Sequence, residues 1–242
     1  MSAPEVLVCA DIDELARKAA DESVRIAGAA IAGSGRFAAA LSGGNTPRSL
    51  YATLAGPGFR DCISWDGVHL FWGDERAVPA DHPDSNYRSA YETLLSKVPI
   101  PERNIHRIET ELGPEKAAAA YEDLLRRFFA LSGGASPRFD LILLGVGEEG
   151  HTASLFPGGG ALREEKRLAV AAYVDKLKSH RITLTLPVLN HAANVFFLVS
   201  GQSKAKVVKE ILGSHSRLPA AEVHPANGRL LWLLDTPAAS LL

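Results

Sequence analysis

"FAAALSGGNTPRSLYATLAG", residues 37–56, sets an apolar pentapeptide directly against a glycine turn and a helix-forming segment. The pentapeptide does not alternate polar with apolar residues, which is the pattern of a strand buried on both faces of a parallel sheet. The unit reads as strand, turn, helix. It recurs at "VHLFWGDERAV" (68–78) with "SNYRSAYETLLSKV" (85–98), and at "NVFFLVSG" (194–201) with "SKAKVVKEILG" (203–213). "FDLILLGVG" (139–147) adds a strand that runs into a second glycine-rich turn.

Two further helices fill the spacing. From Asp11 the apolar positions 12, 15, 16, 19, 20 and 24 follow a helical rhythm, Asp11 with Glu14 reads as a capping box, and Gly33 to Gly35 end the run. "PEKAAAAYEDLLRRFFALSGG" (114–134) is another helix, with Pro114 at its first position. Strands alternating with helices specify an α/β fold: a Rossmann-like, mostly parallel sheet with helices on both faces. "RITLTLP" (181–187) departs from this by alternating, so that Arg181, Thr183 and Thr185 form a polar side; "LLWLLD" (230–235) is expected to close the sheet.

The 242 residues are read as a single domain, 1–242, with a sizeable core. Lys and Arg number 26 against 28 Asp and Glu, for a net charge of −2 without long like-charge blocks, which points to neither a nucleic-acid nor a membrane-surface partner. Cys9 and Cys62 form no C-x-x-C pair and are expected to be small buried side chains rather than a disulfide or thiolate metal site. The N-terminal stretch carries early acids and lacks the apolar core of a signal peptide, and no apolar run reaches the roughly 20 residues of a membrane span. A reducing cytoplasm is the expected location.

Ligands of such sheets bind beyond the carboxyl ends of the strands, and the polar motifs cluster there. In "SGGNTP" (42–47), Gly43 and Gly44 permit close backbone approach, the helix start offers free N–H groups to an anion, and Ser42, Asn45 and Thr46 add side-chain donors. An ordinary capped turn, with Asn45 or Thr46 as the cap and Pro47 at the first helical position, is the alternative. "GDERAVPADHPDSNYR" (73–88) packs Asp74, Glu75, Arg76, Asp81, His82 and Asp84 behind a strand, the alternative being a solvated loop with an Asx turn at Asp84.

"GVGEEGHTASLFPGG" (145–159) matches the dinucleotide fingerprint G-x-G-x-x-G letter for letter, in Gly145, Gly147 and Gly150. Its context contradicts the match. Glu148 and Glu149 would repel a pyrophosphate, Pro157 and Gly158 to Gly160 break any crossover helix, and the acids some 20 residues on, Glu164 and Glu165, lie in the charged run "REEKR". No NAD or other cofactor is expected. His151 differs from the histidines at 69, 82, 106, 180, 191, 215 and 224, read as structural or exposed: it follows a glycine turn at a strand end, with Glu149 two residues before it. A carboxylate there can orient an imidazole as general base. No zinc-type histidine spacing accompanies it, and Ser154 is not in a G-x-S-x-G elbow. Lys204 at a helix start and Arg181 on the polar strand face complete a possible phosphate clamp with Gly43 and Gly44.

Taken together, "LSGGNTP", "GDERAVP", "DHPDSNY", "LLGVGEEGHTASLFPG", "RITLTLPVLN" and "GQSKAKVV" resemble the 6-phosphogluconolactonase family over nearly the whole chain and in the same order. "GHTASLFPG" separates that family from its relatives, the glucosamine-6-phosphate deaminases, whose carboxylate after the histidine is replaced here by Leu155 and Phe156. The resemblance implies the deaminase-like fold and a metal-free hydrolysis of 6-phosphoglucono-δ-lactone to 6-phosphogluconate, the second step of the oxidative pentose phosphate pathway. It implies His151 as the base, with Glu149 where the family turn carries an Asp that orients it. Arg181 and Lys204 match positions that hold the phosphate, and Arg76 a basic position lining the same pocket. The partner implied is a sugar-phosphate lactone, and the chain is expected to be a monomer or weak homo-oligomer. An amino-sugar phosphate deaminase and a non-catalytic sugar-phosphate sensor are the alternatives.

Overall fold

The computed structural model describes residues 4–213 and 216–242. Five parallel pairings join six strands into one sheet in the order β1-β9-β8-β5-β2-β3: β1 Glu5–Cys9, β2 Phe37–Leu41, β3 Val68–Trp72, β5 Leu141–Leu144, β8 Asn194–Val199 and β9 Arg229–Asp235. A second, antiparallel sheet orders β4 (Asp74–Arg76), β7 (Ser179–Leu184) and β6 (Ala169–Val174). The α-helices are α1 Ile12–Ser34, α2 Asn45–Leu54, α3 Asn86–Thr93, α4 Pro114–Phe128, the single turn α5 Leu186–Leu189, α6 Ala205–Leu212 and the turn α7 Thr236–Ala239.

The predicted buried strand is buried at all five positions of β2, and the faces divide as a pleat requires. Phe37, Ala39 and Leu41 share one side with Val68, Leu70, Leu141 and Leu143, against Ala27 of α1 and Leu54 of α2. On the other side Phe71 packs against Phe128 of α4 at 4.9 Å and Phe139 at 5.3 Å. The alanines of β2 let both layers approach closely, and each large aromatic they admit stabilises the core by roughly 2–3 kcal/mol. Helix α1 starts as expected: the Asp11 carboxylate accepts from the Glu14 N–H at 2.8 Å, and Glu14 accepts from Ala10 at 2.7 Å. It ends at Gly35, whose φ of 77° is left-handed.

Three expectations need correction. "VHLFWGDERAV" is not one strand. Gly73 gives its N–H to Leu41 of the first sheet at 2.8 Å and its carbonyl to Leu184 of the second at 2.8 Å, so the chain changes sheets there and β4 begins. "LLWLLD" does not close the sheet, because β1 pairs along the outer side of β9 from Glu5↔Leu231 to Cys9↔Asp235. Cys62 is exposed in a short turn, whereas Cys9 is buried.

Two tyrosines finish strand ends where the ladder runs out. The Tyr51 hydroxyl donates to the Ser42 carbonyl at 2.7 Å and accepts its N–H at 2.9 Å; Tyr121 does the same for Trp72 at 2.8 and 2.9 Å. Burial pushes both hydroxyls well above the usual phenol range, so they remain neutral donors. From β2 the chain moves to β3 on one side, while β5, β8 and β9 extend the other way. The resulting switch point leaves a crevice at the carboxyl ends of β2 and β5.

Candidate active site

A cleft of about 570 Å³ occupies that crevice. It is lined by the segment after β2 (Ser42 to Pro47), the turn after β5, Ser200 after β8, and Asp74, Arg76 and Arg181 from the second sheet. Every residue read from the sequence as part of a site lines it: Ser42, Gly43, Gly44, Thr46, Arg76, Glu149, His151, Arg181 and Lys204.

The first wall is a helix start without a side-chain cap. Helix α2 begins at Asn45, two residues before the Pro47 that the capped-turn alternative puts first, with Gly44 as its N-cap at φ 107° and no side chain accepting from the first turn. Neither Asn45 nor Thr46 is the cap. The Thr46 hydroxyl pairs instead with Ser200 Oγ at 2.9 Å, which ties the β2 and β8 loops together. Uncapped N–H groups at the end of a ten-residue helix carry the positive end of its dipole into the cleft.

The second wall is a pair of guanidinium groups. Arg76 and Arg181 are directly opposed in the β4–β7 pairing, where like charges repel. Arg76 anchors one nitrogen on the Asp84 carbonyl at 2.9 Å, but the Nε atoms of both arginines are buried with no hydrogen-bond partner among the described residues. Burial, then the field of Arg76, lowers the Arg181 pKa below its ordinary value. Each unmade donor costs about 1–3 kcal/mol, and an anion placed between them would satisfy both. Below this pair, Glu75 is 2% exposed and accepts from the N–H groups of Arg76, Asn86 and Tyr87, each at 2.7 Å, and from Ser85 Oγ at 3.1 Å. It thereby caps α3 and fixes the strand that carries Arg76. Burial raises its pKa in spite of those donors. His82 and Asp84 are exposed partners of each other at 3.8 Å and do not line the cleft.

The third wall is the turn after β5. No crossover helix follows it: the chain from Gly145 runs through turns to the short Gly160–Arg163 segment. Gly147 accepts the Gly150 N–H and gives its own to the His151 carbonyl, both at 2.9 Å, curling the turn under the imidazole. A Cβ on Gly147 would overlap the His151 ring and lie 2.7 Å from a Glu149 oxygen, so only glycine fits. The ring stacks on Phe156 with centroids 4.2 Å apart and planes 25° off parallel.

His151 Nδ1 is buried and lies 3.2 Å from Glu149 Oε2, but the two do not align as a hydrogen bond, so the carboxylate acts on the ring through its field and becomes an ion-pair partner only when the imidazole is protonated. Burial lowers the His151 pKa; Glu149 and then Asp74 oppose that shift, and Lys204 adds to it. Burial also acts to raise the Glu149 pKa, but its own backbone N–H, His151 and Lys176 outweigh it and hold the carboxyl below its ordinary value. A neutral imidazole beside an ionised carboxylate results. Lys204 stands where a short turn passes into α6, and forms no ion pair among the described residues.

The sequence identified Asp74 and Asn86 without a role. Buried Asp74 accepts from Ser154 Oγ at 2.6 Å and from Asn86 Nδ2 at 3.3 Å, clamping the β4, β5 and α3 segments around the cleft. Ser154, dismissed as a triad serine, is a buried donor in this clamp, and its N–H donates to Thr183 Oγ1 at 3.2 Å. That explains the polar side of "RITLTLP": Thr183 faces the segment after β5, not water. Lys176 was missed because "DKLK" carries no Gly, Pro or Asn to announce a turn. Of the other histidines, His215 lies outside the described residues. Among the described residues no group of three or more His, Cys, Asp or Glu side chains is disposed to hold a metal, and no helix is long and apolar enough to cross a membrane.

Comparison with known proteins gives a consistent picture. The family described as "Glucosamine-6-phosphate isomerases/6-phosphogluconolactonase" matches residues 10–232. A 6-phosphogluconolactonase of Synechocystis sp. is 46% identical over 217 residues, covering 88% of each chain. The 6-phosphogluconolactonase structure from Trypanosoma brucei superposes with a TM-score of 0.89 at 31% identity over the full length of both chains. A monomeric glucosamine-6-phosphate deaminase, 21% identical, shares the fold with a TM-score of 0.81 over 98% of this chain and all of its own.

Proposed function

We propose that this chain, which belongs to the glucosamine-6-phosphate isomerase/6-phosphogluconolactonase family, hydrolyses 6-phospho-D-glucono-1,5-lactone to 6-phospho-D-gluconate with His151 as general base. The observation that carries the base assignment is the orientation of the imidazole. Nδ1 is turned toward Glu149, which leaves the opposite nitrogen, Nε2, to face the cleft that His151 lines.

A lactone is an activated ester, so orientation, a base and an anchored phosphate supply most of what hydrolysis needs. Nε2 takes a proton from water as its oxygen bonds to the lactone carbonyl carbon. The tetrahedral intermediate then collapses, the bond from that carbon to the ring oxygen breaks, and the imidazolium returns the proton to the departing oxygen as a hydroxyl. Glu149 offsets the imidazolium charge in between. Arg181 and Lys204 hold the phosphate, with Arg76, the Ser42 and Thr46 hydroxyls and the backbone at Gly43 and Gly44 completing the anion site. Phosphate suits the two orphaned guanidinium nitrogens because a dianion can accept from both.

Because burial lowers the His151 pKa from 6.5, the base is unprotonated at neutral pH, and kcat/KM should decline only as pH falls below about 6.5. The deaminase reading is disfavoured by the buried Leu155 and the stacked Phe156 after the histidine. The reducing cytoplasm is the compartment that two unpaired cysteines favour. The 242-residue chain acts as one domain and as a monomer or weak homo-oligomer, since a single copy furnishes the cleft. The test is to add purified protein to freshly generated lactone and follow its decay against buffer and against glucosamine 6-phosphate. Accelerated decay without ammonia release is expected; decay equal to buffer overturns the reading.

A further inference from the structure

Glu149 uses both carboxylate oxygens. Oε2 faces His151 at 3.2 Å, and Oε1 faces Lys176 Nζ at 3.7 Å. Lys176 belongs to the turn Asp175–Leu177 joining β6 to β7, and this turn overhangs the cleft: Lys176 and Leu177 both line it. The turn is closed by the Lys178 N–H donating to Asp175 at 3.2 Å, with Lys178 itself left-handed at φ 46°. The same hairpin carries Arg181 into the opposite wall.

We propose that Lys176 is a positioning residue for lactone hydrolysis: its ammonium holds the outer oxygen of Glu149, so that the inner oxygen stays against His151. The proposal rests on His151 being the base. A glutamate has one more rotatable bond than the aspartate of the family turn, and confining it costs side-chain entropy. The His151 contact is not an aligned hydrogen bond and does not confine it alone. Lys176 supplies a second point of attachment from a separate element.

The test separates positioning from mere charge. The charged groups facing His151 are Glu149 on its own turn, Asp74 on β4 and Lys204 at the start of α6, with Lys176 acting through Glu149. If Lys176 acted only through its positive field, Lys176→Met would raise the His151 pKa. If Lys176 positions Glu149, its loss lets the carboxylate swing away, and the His151 pKa falls. We expect a fall of about half a pH unit by NMR titration of His151, matched by the acid limb of kcat/KM. Turnover should drop about 3-fold or more at unchanged KM, and Lys176→Arg should restore both. In a Glu149→Gln background Lys176→Met should add nothing. An unchanged or raised His151 pKa overturns the proposal. Lys176 is 78% exposed, so its loss does not threaten folding. The NMR titration needs no turnover; a fully active His151→Ala enzyme would instead overturn the base assignment and this proposal with it.

Discussion

Two histidines sit in half-buried, aromatic surroundings at different places in this fold, and only His151, the base proposed above, has both a carboxylate beside it and a cleft before it. His106 stacks on Phe71 at 4.4 Å and lies 5.1 Å from Phe128, with its Nε2 3.1 Å from His69 Nδ1. His151 stacks on Phe156. Burial lowers both pKa values, His106 to about 4. The difference lies in what each ring nitrogen meets. In the aromatic nest one nitrogen of each ring is spent on the other imidazole, and the charges felt at His69 are the cations Arg36 and Arg103. In the cleft a carboxylate waits beside one nitrogen and open space beside the other. Desolvation alone leaves a neutral histidine with nothing to act on; desolvation with a counter-charge and an open face is what the proposed base requires.

The largest expected effect tests that contrast directly. His151→Gln should reduce lactone turnover by about 10³-fold, within the 10²- to 10⁴-fold range of general base catalysis, while thermal unfolding stays close to that of the parent. His106→Phe should leave turnover within about 2-fold, because the nest is remote from the chemistry; a loss comparable to that of His151→Gln would erase the distinction. Next, Gly147→Ala should cost about 10- to 100-fold in kcat by displacing the ring its new Cβ overlaps, with the fold retained by circular dichroism. Arg181→Met should raise KM about 10-fold or more while stability is unchanged or improved, since it relieves like-charge crowding against Arg76. A lower melting temperature with normal KM would remove Arg181 from the phosphate site.

The smallest effect concerns the nest. The unfolded chain takes up a proton at His106 near pH 6.5 that the folded protein refuses until about pH 4. Stability therefore falls with falling pH across that window and levels below it. Solvent reaches the pair, so the loss is about 2 kcal/mol at most. Urea titrations at several pH values should show that slope, and His106→Phe should flatten it.

Much of this was legible in residue order. β2 with its glycine turn, the α1 capping box and the missing crossover helix after Gly150 are local signals, and the structure follows them. Ser42, Gly43, Gly44, Thr46, Glu149, His151 and Lys204 were legible as cleft residues because they follow strand ends, where the fold must bring them together, whereas Arg76 and Arg181 lie within β4 and β7 and reach the cleft through the pairing of those strands. What escaped depends on distant pairing. Gly73 reads as one more strand residue until Leu41 and Leu184 compete for its backbone. β6, "AVAAYV", has no partner to identify it before β7 folds back. Lys178 adopts a left-handed turn that its side chain does not advertise. The Asp74, Asn86 and Ser154 clamp joins residues up to 80 positions apart, a separation that no motif spacing encodes.

The pairing of β1 with β9 matters for the order in which the protein is made. Glu5 meets Leu231 and Cys9 meets Asp235, so β1 has no hydrogen-bonding partner until β9, more than 200 residues later, has been synthesised. Val6 and Val8 remain 43% and 50% exposed even in the finished sheet, and a nascent chain would carry this strand as an open, apolar edge until β9 emerges. Stalled chains ending before Arg229 should therefore show "EVLVC" accessible to proteolysis or chaperone crosslinking, and release from that state should coincide with the emergence of β9.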